Sequence, residues 1–229
     1  MSNIDWFKFE DKTLDFPFYK KNPHISKKGW IAIFIVYLVA SIFMVSSKIY
    51  FNILSCVLFV GVVLYFLNWD YSAIFQKPKL KDVALAIGLC VCYFVYAISI
   101  SFVLGFFNIG GTNLIGSDPV TAVTFISLVF SLMGEEFFKF IPFIFFLRVF
   151  FKYSDNRKLS VILSMIVVMV VFAYVHSFTL DLFVFAFFVQ GIGSIFEFFG
   201  YFKTKNVLVP YITHLCTDVF VFALVMLGV

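Results

Sequence analysis

The stretch SLMGEEFFKFIPFIFF at 131–146 decides the fold. It is apolar except for Glu135, Glu136 and Lys139. A charged side chain in hydrocarbon costs about 3 kcal/mol or more on insertion scales, so such residues line a polar interior and carry function by default. Two further apolar runs repeat the anomaly. His176 ends VVMVVFAYVHS at 167–177, and His214 and Asp218 sit in VLVPYITHLCTDVFVFALV at 207–225. The set comprises two adjacent carboxylates, two imidazoles and a third carboxylate. Those are the groups that activate a water molecule inside a membrane.

Composition agrees with a membrane setting. The 229 residues are 62% hydrophobic and 22% aromatic with only 13% charged, and mean hydropathy is +1.03. These values exclude an ordinary soluble domain and predict an all-α polytopic membrane protein. Only residues 1–29 are polar enough to lie outside the bilayer. Their aromatic residues, among Lys and Asp, suit either an interfacial segment at the cytoplasmic headgroups or a flexible tail. The start, MSNIDWFKFEDK, has mixed charge and no apolar core, so the first helix rather than a cleavable signal directs insertion. Cys56, Cys90, Cys92 and Cys216 all lie in apolar runs and read as small buried hydrophobes. The net charge of +4 is scattered over several loops, which speaks for topology and not for a nucleic-acid partner.

Hydropathy divides the chain into seven membrane helices, roughly 30–47, 50–68, 83–107, 119–147, 159–177, 181–201 and 207–228. Fifteen of the 17 Lys and Arg residues fall on one side of this arrangement, Lys48 falls on the other, and Lys139 lies within a helix. The alternation predicts an N-terminus inside and a C-terminus outside. Asp118-Pro119 reads as the start of the fourth helix. The Gly191-x-Gly193 pair reads as a close helix contact.

On a helix, positions four apart share a face and adjacent positions point about 100° apart. Glu135 can pair with Lys139, Glu136 lies three before it, and the two carboxylates can face different neighbours. A structural ion pair remains an alternative, as does a hydrogen-bonded pair for His214 and Asp218, which stack at i, i+4. Glu197 either borders the polar cavity or lies at the interface; the interfacial role is the expectation.

Three motifs in order, EEFFKF at 135–140, FAYVH at 172–176 and HLCTD at 214–218, resemble those of the CPBP family of intramembrane proteases, also called Abi proteins. That family includes type 2 CAAX prenyl endopeptidases and bacteriocin-processing or self-immunity proteins. Its members carry EExxxR, FxxxH and HxxxN or HxxxD. The stretch 201–214 also resembles the family's approach to its last histidine. The resemblance covers roughly 115–229, and 30–114 match only in general character. The family Arg would fall at Phe140; Lys139 stands one place earlier and supplies a point charge without the guanidinium fork. Glutamate pairs followed by Lys also occur in the PrsW-like group, but the second and third motifs fit CPBP better.

The resemblance implies three parts: an N-terminal segment (1–29), helices 1–3 (30–114) and a CPBP-like catalytic core (115–229). It implies an endopeptidase acting on a small peptide precursor or membrane-associated protein. Glu135 would be the general base, Glu136 with Lys139 would hold the fourth helix, and His176, His214 and Asp218 would complete the site. Two mechanisms stay open. In one, Glu135, His176 and His214 bind zinc or another divalent metal; in the other, glutamate acts without metal and histidine supports the oxyanion. A non-catalytic immunity or scaffold protein is the alternative, supported by Phe140, and a proton-coupled transporter is a third class. Partners are the lipid bilayer and a peptide or membrane-protein substrate; the sequence specifies no oligomeric state. Straight, upright helices would hold His176 and His214 at different depths, so a shared site needs tilt or a fifth helix that starts in the 152–158 segment.

Overall fold

The computed structural model describes residues 25–46, 48–110, 119–177 and 179–227. The described residues form an all-α polytopic membrane protein. The helices are α1 (Lys27–Met44), α2 (Ile49–Phe66), α3 (Leu80–Phe106), α4 (Ala122–Ser154), α5 (Arg157–Ser177), α6 (Leu180–Ala186), α7 (Ile195–Thr204) and α8 (Leu208–Met226). A π turn (Phe187–Gly191) and a 3-10 turn (Ile192–Ser194) join α6 to α7, so these make one crossing. Six segments are long and apolar enough to span a membrane. The seventh, α4, is longer than any of them but carries the buried charges.

Burial is inverted relative to a soluble protein. Glu136, Lys139 and His214 are inside, whereas Ile42, Ile98, Phe102 and Phe106 are about 70% exposed. Such a surface is solvated by lipid tails, not water. Cys90 is buried and Cys92 is exposed, as positions two apart on α3 allow; the expectation that all four cysteines are buried holds at Cys90, fails at Cys92, and is met only in part at the half-buried Cys56 and Cys216. Most of the 1–29 segment lies outside the described residues. Its last part is already helix: Ser26 caps α1 by accepting from the Gly29 N–H at 3.1 Å.

Two boundaries differ from expectation in ways that matter. α4 starts at Ala122 behind the N-cap Thr121, so Pro119 precedes the helix; Asp118 lies outside the described residues. α4 also runs to Ser154, and α5 begins at Arg157 after a tight turn in which Asp155 adopts φ 48° and Asn156 Oδ1 accepts from the Leu159 N–H. Glu135 then lies 19 residues before the end of α4, and His176 lies 19 residues after the start of α5. At 1.5 Å per residue both sit about 28 Å from the hairpin tip.

His214 reaches the same place from a nearer corner. It is six residues into α8, about 9 Å from that helix's start. The α7–α8 corner is buried, with Asn206, Val207 and Val209 each at 2% exposure or less. It is held by the α2–α3 connection: Val207 N–H donates to the Ile74 carbonyl, and Asn206 exchanges two hydrogen bonds with the Gln76 backbone. The α4–α5 hairpin therefore extends roughly 19 Å further along its helices than the α7–α8 corner, by the same helical rise. This offset brings the two histidines together.

Pro142 sits inside α4, where it cannot supply the N–H that would bond the Phe138 carbonyl. The Tyr37 hydroxyl from α1 donates to that carbonyl at 3.2 Å. The substitution Tyr37→Phe is expected to lower stability by about 1–3 kcal/mol, the cost of an orphaned buried acceptor, read as a lower Tm in detergent. The Gly191-x-Gly193 pair permits close contact as expected: a Cβ on Gly191 would lie 2.8 Å from the Met169 carbonyl oxygen, and one on Gly193 2.7 Å from the Tyr93 ring.

Candidate functional site

Helices α4, α5 and α8 deliver one polar cluster. Glu135 Oε2 lies 3.9 Å from His176 Nε2 and 3.9 Å from His214 Nε2. His214 Nε2 lies 3.9 Å from Asp218 Oδ1, one turn along α8. The other ring nitrogens are already tied. His176 Nδ1 is 2.8 Å from the Phe172 carbonyl, and His214 Nδ1 is 2.8 Å from Glu136 Oε1. An acceptor at each Nδ1 fixes it as an N–H donor and leaves each Nε2 to face Glu135. At 3.9 Å none of the Nε2 contacts is a hydrogen bond.

The adjacent glutamates face different surroundings, as the 100° step of a helix requires. Glu135 keeps 18% side-chain exposure beside His176 and Asp218, each at 29%. Glu136, at 5%, is sealed. Its Oε1 accepts from Lys139 Nζ at 2.6 Å as well as from His214. Lys139, at 3% exposure, also donates to Glu197 on α7, and its ammonium lies 4.8 Å from the centre of the Phe172 ring. The partners of Lys139 are thus Glu136 and Glu197. Of the two pairings that helical spacing permits, Glu136–Lys139 forms, as the motif resemblance implies, while Glu135 turns toward the histidines.

Glu197 corrects an expectation. It is not interfacial; its side chain is 13% exposed, bonded to Lys139, with Oε1 3.7 Å from His214 Nδ1. It borders a cavity of about 20 Å³ lined by Glu136, Lys139, Phe140, Phe198, Tyr201 and Pro210 among others. That is room for one water-sized occupant. Phe140, where the resemblance would place Arg, is 6% exposed and packs edge-on against Tyr201 at 5.3 Å. The positive charge in this layer comes from Lys139 instead.

Two donor sets bear on metal binding. Among the described residues, Glu136, Glu197 and His214 offer ligand atoms within 4.8 Å of one another. The Lys139 ammonium already bonds both of these carboxylates, so this trio does not fit a metal. Glu135, His176 and His214 carry no competing ammonium, but their three ligand atoms do not all lie within 4.8 Å of one another, so a metal there would have to draw the two Nε2 atoms closer. Both imidazoles have Nδ1 anchored on an oxygen acceptor, the arrangement that orients histidine ligands. Their 3.9 Å spacings exceed the ~3.3 Å edge of a tetrahedral zinc site by about half an ångström.

The structure brings Glu135, Glu136, Lys139, His176, His214 and Asp218 into one cluster. Sequence reasoning undervalued Glu197 and named Phe172 only as the first residue of FAYVH, without its contacts to Lys139 and His176. The signal for Glu197 was present: it lies seven residues before the end of α7, and His214 lies six after the start of α8, so the pair are level across the corner. No protein-family model, curated protein or solved structure matches the chain.

Proposed function

We propose that the chain is an intramembrane peptide hydrolase in which Glu135 activates water. The observation that supports this reading is the convergence on Glu135 Oε2 of two imidazoles from separate helices, each with its far nitrogen anchored. Buried membrane charges that serve only structure pair off, as Glu136 and Lys139 do; Glu135 instead faces unbonded nitrogens in the more open part of the cluster.

In this reading Glu135 accepts a proton from water as the water oxygen bonds to the scissile carbonyl carbon. His214, with Nδ1–H held by Glu136, offers Nε2–H to the oxyanion when protonated. The C–N bond then breaks, and the proton held by Glu135 passes to the leaving amine. Asp218 steadies the His214 ring from one turn away, and His176 borders the water. A divalent ion held by Glu135, His176 and His214 would supply a lower water pKa and a polarised carbonyl. Activity that survives exhaustive chelation assigns the water to Glu135 alone; activity lost and restored by zinc assigns it to the ion.

The substrate class is a small peptide precursor or a membrane-associated protein segment, as the motif resemblance implies. The loop charges support an N-terminus on the cytoplasmic side and a C-terminus outside. A non-catalytic immunity or scaffold role is the second reading, favoured by the aromatic Phe140 where the resemblance calls for Arg. The test compares peptide termini, by mass spectrometry, in cells expressing wild type or Glu135→Ala at matched levels. Termini present only with wild type support hydrolysis. Identical termini, with any cellular phenotype unchanged by the mutation, favour the scaffold.

A further inference from the structure

We infer that Glu197 is a positioning residue of the site: it shares Lys139 with Glu136, and so leaves Glu136 free to hold His214. The inference rests on the hydrolase reading for its meaning but not for its test. Lys139 is buried between two carboxylates on different helices, Glu136 on α4 and Glu197 on α7. One ammonium thus serves both carboxylates, and the next N–H donor that faces them is His214 Nδ1, 2.8 Å from Glu136 and 3.7 Å from Glu197. Without Glu197, Glu136 and Lys139 form a closed neutral pair three residues apart on one helix, and the pull on Nδ1–H weakens.

The same ammonium braces the second histidine. Lys139 lies over the Phe172 ring, and the Phe172 carbonyl accepts from His176 Nδ1. Glu197, by fixing Lys139, therefore acts on both imidazoles without touching Glu135. It is the carboxylate that the α6–α7 crossing brings to a cavity wall which Phe198 and Tyr201 also line.

The chain has three histidines, so ¹⁵N-histidine labelling of the whole protein in detergent gives few signals, and His214→Gln identifies that of His214. The readout is the low-field Nδ1–H proton that a hydrogen bond to carboxylate produces, at fixed pH. Glu197→Gln is expected to shift that proton upfield or lose it, while Glu197→Asp retains it, with helical circular dichroism unchanged in both. An unshifted Nδ1–H in folded Glu197→Gln overturns the inference. If Glu197→Gln does not fold, Glu197→Asp decides: rescue of both fold and signal upholds it, and a folded Asp variant without the signal overturns it. In the same preparations, Glu197→Gln is expected to lower the turnover of Glu135-dependent peptide termini at least tenfold with little change in KM. Absence of such termini even with wild type sinks the hydrolase reading, and the Nδ1–H signal still decides the role of Glu197.

Discussion

Replacing Lys139 with methionine is expected to destabilise the folded chain by about 3–5 kcal/mol, the range for breaking a buried ion pair by removing one partner. The ammonium is 3% exposed, and its two carboxylates are 5% and 13% exposed, so neither can turn to water when it is lost. Methionine matches the length of the stem, which confines the effect to charge and hydrogen bonding. Thermal unfolding in detergent measures it. The double variant Lys139→Met with Glu197→Gln is expected to recover part of the loss, because it removes one of the stranded carboxylates along with the cation. A Tm within a degree or two of wild type for Lys139→Met alone would show that Glu136 and Glu197 are not paired as described.

The second large effect falls on the adjacent helix face and has the opposite character. Glu135→Gln is expected to leave the Tm near that of wild type and to reduce peptide hydrolysis by roughly 10²- to 10⁴-fold, the usual contribution of a general base. The amide keeps the shape of the side chain. Among the described contacts Glu135 has no hydrogen-bonded cation to strand: the two imidazole Nε2 atoms lie 3.9 Å away. Glu136→Gln should instead act on stability and on His214 together, since Glu136 Oε1 accepts from both Lys139 and His214. On the proposed reading the two neighbouring glutamates separate chemistry from architecture, and a matched pair of variants reads each one.

Much of the fold was legible because a membrane leaves few options: apolar runs of about 20 residues become helices, and basic residues mark one side. All seven expected crossings overlap helical segments. The ends were less legible. α4 extends seven residues beyond the expected 147 because hydropathy falls at Arg148 and Lys152, while helical propensity and backbone bonding do not. The break at 187–194 was marked only by Gly191 and Gly193, whose close approaches to Met169 and Tyr93 are tertiary facts. In the site, the residues in apolar runs were found by their cost in hydrocarbon. Helical spacing alone left Lys139 open to both Glu135 and Glu136; the motif resemblance named Glu136, and the contacts from α7 and α8 are what hold that carboxylate toward Lys139. Tyr37 could not be foreseen: its role depends on Pro142 of another helix freeing the Phe138 carbonyl.

The central claim is that Glu135 directs water onto a peptide bond within this helical core. Its most direct test uses proteoliposomes of the purified wild-type chain or Glu135→Gln, incubated with a peptide extract of the source membranes in ¹⁸O-labelled water. The account predicts new C-terminal carboxylates carrying ¹⁸O with wild type and none above background with the variant. Labelled termini that are equal in both preparations, or missing from both, would contradict it.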